Sequence, residues 1–133
     1  MERVFVDTSA WFAYANSRDK SHTRVREALE KWENRLVTSN FVFDETVTLL
    51  MMRGGGNVAL KMGEGLRDPG LVRLMRLVTE DEEEAWSIFS RHKDKNWSFT
   101  DCTSFALMRR LGLDTAIAVD DHFKQAGFNI LPN

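Results

Sequence analysis

Four acidic residues stand where the chain passes from an apolar run to a polar segment. Asp7 follows the run Val4–Val6 in VFVDTSAW, and Asp120 follows a second apolar run in TAIAVDDHF. Glu45 and Asp101 lie near the starts of two further segments, SNFVFDETVTLL and SFTDCTSFAL. Carboxylates in such places either cap helices or form a functional site, and the sequence is compatible with both interpretations.

Helix capping accounts for most of these acids when each is taken alone. Asp, Ser and Thr are preferred N-cap residues, and a cap contributes about 1 kcal/mol. Asp7 and Asp120 fit that position, and Ser98 with Asp101 forms the S-x-x-D pattern of a capping box. Glu45 fits less well, because with Asn40 as the cap it lies beyond the first helical turn.

Taken together, the four acids favour a metal site. If the helices pack on one parallel sheet, their first turns converge at the carboxyl edge of that sheet, where ligands bind in open α/β folds. Two carboxylates about 4 Å apart repel by roughly 4 kcal/mol at an effective dielectric near 20, more than the roughly 1 kcal/mol of a cap. A cation relieves this repulsion, and all-oxygen ligation suits Mg²⁺ or Mn²⁺. Such a site activates water and neutralises a phosphoryl transition state.

The elements that must position these acids alternate along the chain. This alternation predicts an α/β fold with a mostly parallel sheet covered on both faces. We find no linker or repeat, so residues 1–133 are expected to form a single domain. Strands are expected at Val4–Val6, Leu36–Thr38, Leu71–Val78, Thr115–Val119 and Phe128–Leu131; helices are expected at 9–16, 21–34, 41–53, 58–66, 80–93, 98–111 and 121–126. Within the helices, Trp11, Phe12, Tyr14 and Phe89 are expected to face inward, and the triple glycine at 54–56 is expected to be a flexible turn.

Composition excludes several classes of protein. The 133 residues are 43% hydrophobic, and no apolar run approaches the roughly 20 residues that span a bilayer. The N-terminus leads directly into a strand and lacks the layout of a signal peptide, so a cytoplasmic location is expected. Cys102 is the only cysteine, which excludes an internal disulfide and a Cys-rich zinc site.

Charge is unevenly distributed although the formal net charge is only −2. Residues 53–76 include five basic and two acidic residues, so this stretch has a net charge of +3. The stretch either contacts phosphates or is solvated surface. The acidic run at 80–84 that follows is interpreted as solvated surface with acids matched to a helix N-terminus.

The four acidic segments, in this order, resemble PIN-domain ribonucleases, above all the small VapC toxins of toxin–antitoxin operons. The resemblance extends over essentially the whole chain. It implies a three-layer α/β/α sandwich, a Mg²⁺-dependent endoribonuclease and an antitoxin that blocks the acidic pocket. The apolar surface expected from four Trp and nine Phe leaves room for a homodimer as well.

The resemblance also assigns roles to residues. The family acids fall on Asp7, Glu45, Asp101 and Asp120, with Asp7 and Asp101 as the direct metal ligands. Many relatives end the last motif with Asp-x-Asp-Phe, whereas this chain has His122 at the second acid's place, which leaves open whether Asp121 or His122 contributes. Family hydroxyls that bond the acids or a metal-bound water fall on Thr8, Ser9 and Thr100.

Alternatives from other classes remain at this stage. A PIN-like fold could act as a non-catalytic RNA-binding or regulatory subunit, although the presence of all four acids argues against it. Cys102 could be a nucleophile, but a buried helical thiol is the expected state. An aspartyl phosphatase would need a second Asp two residues after Asp7, where this chain has Ser9.

Overall fold

Five short parallel strands form one central sheet in the computed structural model, which describes residues 2–133. The sheet order is β3-β2-β1-β4-β5. The chain therefore builds outward from β1 to β3 on one side and then returns to add β4 and β5 on the other. The strands are β1 Val4–Val6, β2 Leu36–Ser39, β3 Arg73–Met75, β4 Thr115–Ile117 and β5 Asn129–Leu131.

The central strand is fully enclosed. All three residues of β1 have 0% exposure, and β1 pairs in parallel with β2 on one side and β4 on the other. A parallel strand covered on both faces has no polar face, so it reads as a continuous apolar run. This explains why the chain begins with Val4-Phe5-Val6.

Helices flank the sheet, and the predicted α/β fold with a parallel sheet is confirmed. Every predicted strand and helix has a counterpart within residues 2–133. In this part of the chain no helix is long and apolar enough to cross a membrane. The helices are α1 Thr8–Ala15, α2 His22–Lys31, α3 Asn40–Gly54, α4 Gly56–Leu66, α5 Thr79–Arg91, α6 Phe99–Leu111 and α7 His122–Gln125.

Two strands are shorter than predicted by more than one residue, because side chains and turns bind their backbone N–H groups. The predicted strand 71–78 is reduced to β3: the Leu71 N–H donates to the Asp68 carbonyl in a turn, and the Leu77 N–H donates to Asn40 Oδ1. The strand predicted to reach Val119 ends at Ile117, and the Val119 N–H donates to Ser9 Oγ. The second interruption brings the end of β4 against the start of α1.

Two aromatic residues predicted to face the core lie at the surface. Tyr14 is 42% exposed and stacks on His22, with ring centroids 6.2 Å apart. Phe89 is 38% exposed and packs against Trp86 and edge-on against Phe99. Helical spacing predicted their faces wrongly because aromatic neighbours on the surface can shelter a ring that the core does not reach.

The junction of α3 and α4 is tighter than the predicted glycine turn. Gly54 ends α3 and Gly56 begins α4, so only Gly55 lies between the two helices. Gly55 has φ of +91°, a conformation that favours glycine, and its N–H donates to the Leu50 carbonyl.

One residue of the acidic run is not solvated surface. Asp81 is buried, and its carboxylate accepts two hydrogen bonds from Arg110, at 2.7 Å from Nε and 2.9 Å from Nη2. A third hydrogen bond comes from the Val78 N–H at 3.0 Å. The interpretation of the run as surface was therefore wrong for Asp81, which fastens α5 to α6.

Candidate active site

The acids predicted to converge lie at the switch point of the sheet, between β1 and β4, where the strand order reverses. β1 and β4 are neighbours in the sheet but are far apart in the chain, and ligands bind at such switch points. Asp7 directly follows β1, Asp120 follows β4 after two residues, and Asp101 lies in the first turn of α6. The charges of Asp101 and Asp120 both act on Asp7, so the structure brings these three carboxylates together.

Asp7 uses its two oxygens differently. Oδ2 caps α1 by accepting hydrogen bonds from the Ser9 N–H at 3.1 Å and the Ser9 hydroxyl at 2.7 Å. Oδ1 is buried without a hydrogen-bond partner among residues 2–133. Burial raises the pKa of Asp7 to about 7; the hydrogen bonds from Ser9 oppose this rise, while the charges of Asp101 and Asp120 add to it.

Ser9 joins the two strand ends. Its hydroxyl donates to Asp7 and accepts from the Val119 N–H at 3.1 Å. Because Val119 directly precedes Asp120, this hydroxyl fixes the position of one acidic loop relative to the other. Of the three hydroxyls that the family resemblance assigned, Ser9 is the one that bonds an acid in the described chain. Thr8 instead accepts a hydrogen bond from Thr46 at 3.3 Å, and no hydrogen bond of the Thr100 side chain is seen in residues 2–133.

Asp101 is held from two sides. The predicted capping box is present, with the Ser98 hydroxyl accepting from the Asp101 N–H and the Ser98 N–H donating to Asp101 Oδ2, each at 2.9 Å. Oδ2 also accepts from His122 Nδ1 at 2.8 Å. Burial raises the pKa of Asp101 despite the opposing bonds from Ser98 and His122, and the charge of Asp120 adds to the rise.

His122 is the residue whose role the sequence left open. Its Nδ1 bonds Asp101 and lies 3.9 Å from Asp120 Oδ1, so the imidazole stands between two of the acids. Asp120 Oδ1 accepts the His122 backbone N–H at 3.1 Å. Asp121 precedes α7 as an exposed residue and makes no side-chain capping bond. The contribution to the site therefore comes from His122, and the signal for it was the spacing of two residues after Asp120.

Glu45 lies on a helix that contacts the start of α1, and within residues 2–133 no hydrogen bond or ion pair joins it to the other three acids. It lies on α3 beside Thr46, whose hydroxyl reaches Thr8 at the start of α1. Its side chain is half-buried and makes no hydrogen bond or ion pair within residues 2–133. The structure thus brings Asp7, Asp101 and Asp120 together and leaves Glu45 on the adjoining helix.

Comparison with known proteins decides the family. The sequence model of the PIN-domain family matches residues 4–129 of this chain. The chain belongs to the PIN-domain family. It is 38% identical to the 23S rRNA-specific endonuclease VapC20 of Mycobacterium tuberculosis, over 94% of this chain and 95% of that protein. It is also 32% identical to a VapC ribonuclease of Archaeoglobus fulgidus, over 90% of this chain and 78% of the relative.

Comparison with solved structures agrees with the sequence comparison. The crystal structure of M. tuberculosis VapC20, a sarcin–ricin loop cleaving toxin, superposes with a TM-score of 0.89 over 94% of this chain and 95% of that one. DNA-bound VapBC from Salmonella typhimurium superposes with a TM-score of 0.73 at 14% identity, over 98% and 97% of the two chains. The second likeness shows the fold alone. The predicted membership among VapC-type PIN domains is confirmed.

The carboxylate oxygens of this PIN domain are the type of ligand that a hard divalent cation prefers. Within residues 2–133 no three His, Cys, Asp or Glu side chains are already arranged around a common metal position. Asp7 nevertheless keeps one buried carboxylate oxygen that no group in this part of the chain hydrogen-bonds, and the charges of Asp101 and Asp120 act on it. An all-oxygen donor set of this kind suits Mg²⁺ or Mn²⁺.

Cys102 lacks the exposure and the low pKa of a cysteine nucleophile. The residue is fully buried on α6, and burial together with the neighbouring Asp101 charge raises the pKa of its thiol to about 11. A thiol rather than a thiolate is therefore present at neutral pH, and the thiol is the unreactive form.

Proposed function

We propose that this chain is a Mg²⁺-dependent endoribonuclease that acts as the toxin of a toxin–antitoxin pair. The observation that carries the proposal is the buried, unpartnered Oδ1 of Asp7 at the switch point where Asp101 and Asp120 converge. An uncompensated carboxylate oxygen in such a place is costly unless a cation satisfies it. The curated relatives of this chain are named as endonucleases and ribonucleases.

Each acid has a role in the proposed mechanism. Asp7 and Asp101 would hold Mg²⁺, with Mn²⁺ as a substitute. When bound, the metal supplies an activated water and neutralises charge on the phosphoryl group. Asp120 and, from the adjoining helix α3, Glu45 would complete the acidic surroundings and orient the attacking water. Ser9 and His122 keep the carboxylates of Asp7 and Asp101 in place through the hydrogen bonds at 2.7 and 2.8 Å.

The substrate is proposed to be a looped RNA. VapC20, at 38% identity, is named as specific for 23S rRNA and as cleaving the sarcin–ricin loop. Sequence-specific recognition of RNA generally targets single-stranded loops and bulges, whose bases can be splayed out. The sarcin–ricin loop is therefore the first substrate to test.

Cleavage of a sarcin–ricin loop oligonucleotide, followed on a denaturing gel, tests the activity. We expect cleavage with Mg²⁺, none with excess chelator, and none with Asp7→Asn. Asp121→Asn is the matched control, because it removes the same charge from an exposed neighbour of the site and should cleave normally. Undiminished cleavage in chelator would contradict the metal, and no cleavage of this or of total cellular RNA would contradict the enzyme.

The partners are proposed to be an antitoxin protein and a second copy of the chain. Expression of the intact protein should arrest growth, and co-expression of the neighbouring reading frame should restore it. Asp7→Asn should be harmless, and Asp121→Asn should remain toxic. Harmless expression of the intact protein in its native host would contradict the toxin assignment. The homodimer is checked by sedimentation of the purified protein, which should give twice the mass of the chain.

A further inference from the structure

A groove rich in arginine runs along β3, the edge strand of the sheet. Two adjoining depressions of about 250 and 210 Å³ share Pro69 and Val72 in their walls. Arg67 and Arg76 line the first, and Arg3 and Arg73 line the second. These four arginines and the two depressions are called the β3 groove below.

The arginines of the β3 groove carry charge that the described chain does not neutralise. Among residues 2–133, no carboxylate oxygen lies within 4.0 Å of the side-chain nitrogens of Arg3, Arg67, Arg73 or Arg76. Asp68, which lies between Arg67 and Arg73 in the chain, accepts a hydrogen bond from the Gly70 N–H at its Oδ1, at 2.9 Å. The groove is therefore a basic surface on a chain whose net charge is −2.

The groove reaches the edge of the sheet that carries the acids. Arg76 directly follows β3, just as Asp7 directly follows β1, and all strands are parallel. Only β2 separates β3 from β1, and neighbouring strands lie about 4.8 Å apart, so the two strand ends are roughly 10 Å apart across the sheet. A chain of phosphates that passes the acids can continue over this distance into the groove.

Protection of an edge strand explains only part of this arrangement. Charged side chains on an edge strand discourage pairing with another strand, which would account for Arg73. It does not account for Arg67, which directly follows α4, or for Arg3, which precedes the central strand. It also does not account for depressions beside these arginines.

We propose that the β3 groove binds backbone phosphates of the RNA that flanks the cleaved loop. Arginine suits this task, because its planar guanidinium can give two parallel hydrogen bonds to a phosphate. Binding through the backbone is insensitive to sequence and weakens as salt rises. The inference rests on the proposed function, since it concerns the substrate of the same active site.

Binding of two fluorescent RNAs tests the groove: a hairpin with long flanking strands and the same hairpin trimmed to its loop. Both are measured by anisotropy on Asp7→Asn, which binds without cleaving. Adding Arg67→Gln and Arg76→Gln should raise the Kd for the long RNA about tenfold and leave the trimmed RNA unchanged. The slope of log affinity against log salt for the long RNA should fall by about 1.5, for two lost phosphate contacts. The control adds Arg18→Gln and Arg24→Gln, which remove two exposed arginines outside the groove and should have little effect.

Failure of the groove proposal can be distinguished from failure of the proposed function. An unchanged Kd and salt slope for the long RNA in the groove variant would overturn the groove, and so would an equal loss with both RNAs or with the control pair. If the groove variant instead loses binding of the co-expressed antitoxin while its RNA affinity is unchanged, the surface is a protein interface and the inference is wrong. Absence of cleavage by the intact protein overturns the proposed function and does not affect these binding measurements.

Discussion

Asp7 shows how one side chain can satisfy two interpretations of the same sequence. Its Oδ2 caps α1 through two bonds from Ser9, as the cap interpretation of VFVDTSAW requires. Its Oδ1 is buried and has no hydrogen-bond partner within the described residues, which no cap requires. Asp101 likewise closes a capping box and lies among the acids. Capping fixes these carboxylates in place, and the proposed chemistry uses them there.

The first prediction concerns the stability of the protein without metal. The folded-state pKa of Asp7 is about 7 against an ordinary 3.8, so between these values the folded state binds more protons than the unfolded state. Stability must therefore fall as pH rises through this window. Asp7→Asn removes the penalty and should raise the free energy of unfolding by a few kcal/mol at pH 8, since each pKa unit corresponds to about 1.4 kcal/mol. The gain should vanish near pH 4.

Urea denaturation in chelator between pH 4 and 8 measures this difference. Asp121→Asn serves as the control and should track the parent at every pH. A gain from Asp7→Asn that is the same at pH 4 and pH 8 would show that the buried charge is not its origin.

Which residues belong to the site was predictable only in part. Asp7, Asp101 and Asp120 could be located because each follows a strand or opens a helix, and strand ends converge in a parallel sheet. The spacing of His122 after Asp120 marked it as a candidate, but its role was left open, because its contact with Asp101 depends on the orientation of the ring. Glu45 was placed with the other acids because it lies near the start of a helix, and its side chain makes no hydrogen bond or ion pair with them in residues 2–133.

At the scale of elements, the first turn of α6 links stability to the site. The Ser98 hydroxyl caps the helix and thereby fixes the backbone of Asp101. Ser98→Ala should lower the free energy of unfolding by about 1 kcal/mol and reduce cleavage, because Asp101 loses its fixed backbone. Ser98→Thr keeps a capping hydroxyl and should retain both properties. Calorimetry together with the cleavage assay tests this, and loss of stability with unchanged cleavage would separate the cap from the site.

The ion pair between α5 and α6 gives a third prediction. Arg110→Met leaves Asp81 buried without its partner, which costs 3–5 kcal/mol for a fully buried pair. Because the Arg110 side chain is 38% exposed, about 2 kcal/mol is expected. Burial alone would raise the pKa of Asp81, but its bonds to Arg110 and Val78 hold that pKa below the ordinary range. The stabilisation is therefore present above pH 4 and is lost in acid.

Chemical denaturation at pH 7 and pH 3 tests the ion pair. The gap between the parent and Arg110→Met should be larger at pH 7 than at pH 3. Asp81→Asn combined with Arg110→Met should recover part of the loss, since no buried charge is left. A gap that is equal at both pH values would mean that Arg110 acts through packing alone.

The order and type of the elements were readable from the sequence, and their ends were not. β1 was evident because a strand buried on both faces is apolar throughout. The length of β3 depended on Asn40, which takes the Leu77 N–H from a distant part of the chain. The inward face of α1 was misjudged at Tyr14 because His22, from the next helix, covers the ring. Long-range partners of this kind leave no local pattern.

At the scale of the whole molecule, the topology brings the acids close enough to repel one another. The return of the chain from β3 to β4 places two strand ends with acids side by side at the centre of the sheet. Folding without a cation therefore works against the repulsion and the desolvation of these carboxylates. A cation that binds the folded state alone must stabilise the entire fold through the same site.

The last prediction follows from this repulsion between the carboxylates and is tested by thermal melts with chelator and with Mg²⁺. The parent protein should gain about 2.7 kcal/mol when Mg²⁺ is present at a hundred times its dissociation constant. Asp7→Asn should melt above the parent in chelator, because its site carries less charge, and should gain clearly less from Mg²⁺, because a ligand is lost. Asp121→Asn should behave as the parent in both conditions. If all three proteins gained equally from Mg²⁺, the ion would be acting elsewhere, and the carboxylates at the switch point would be helix caps alone.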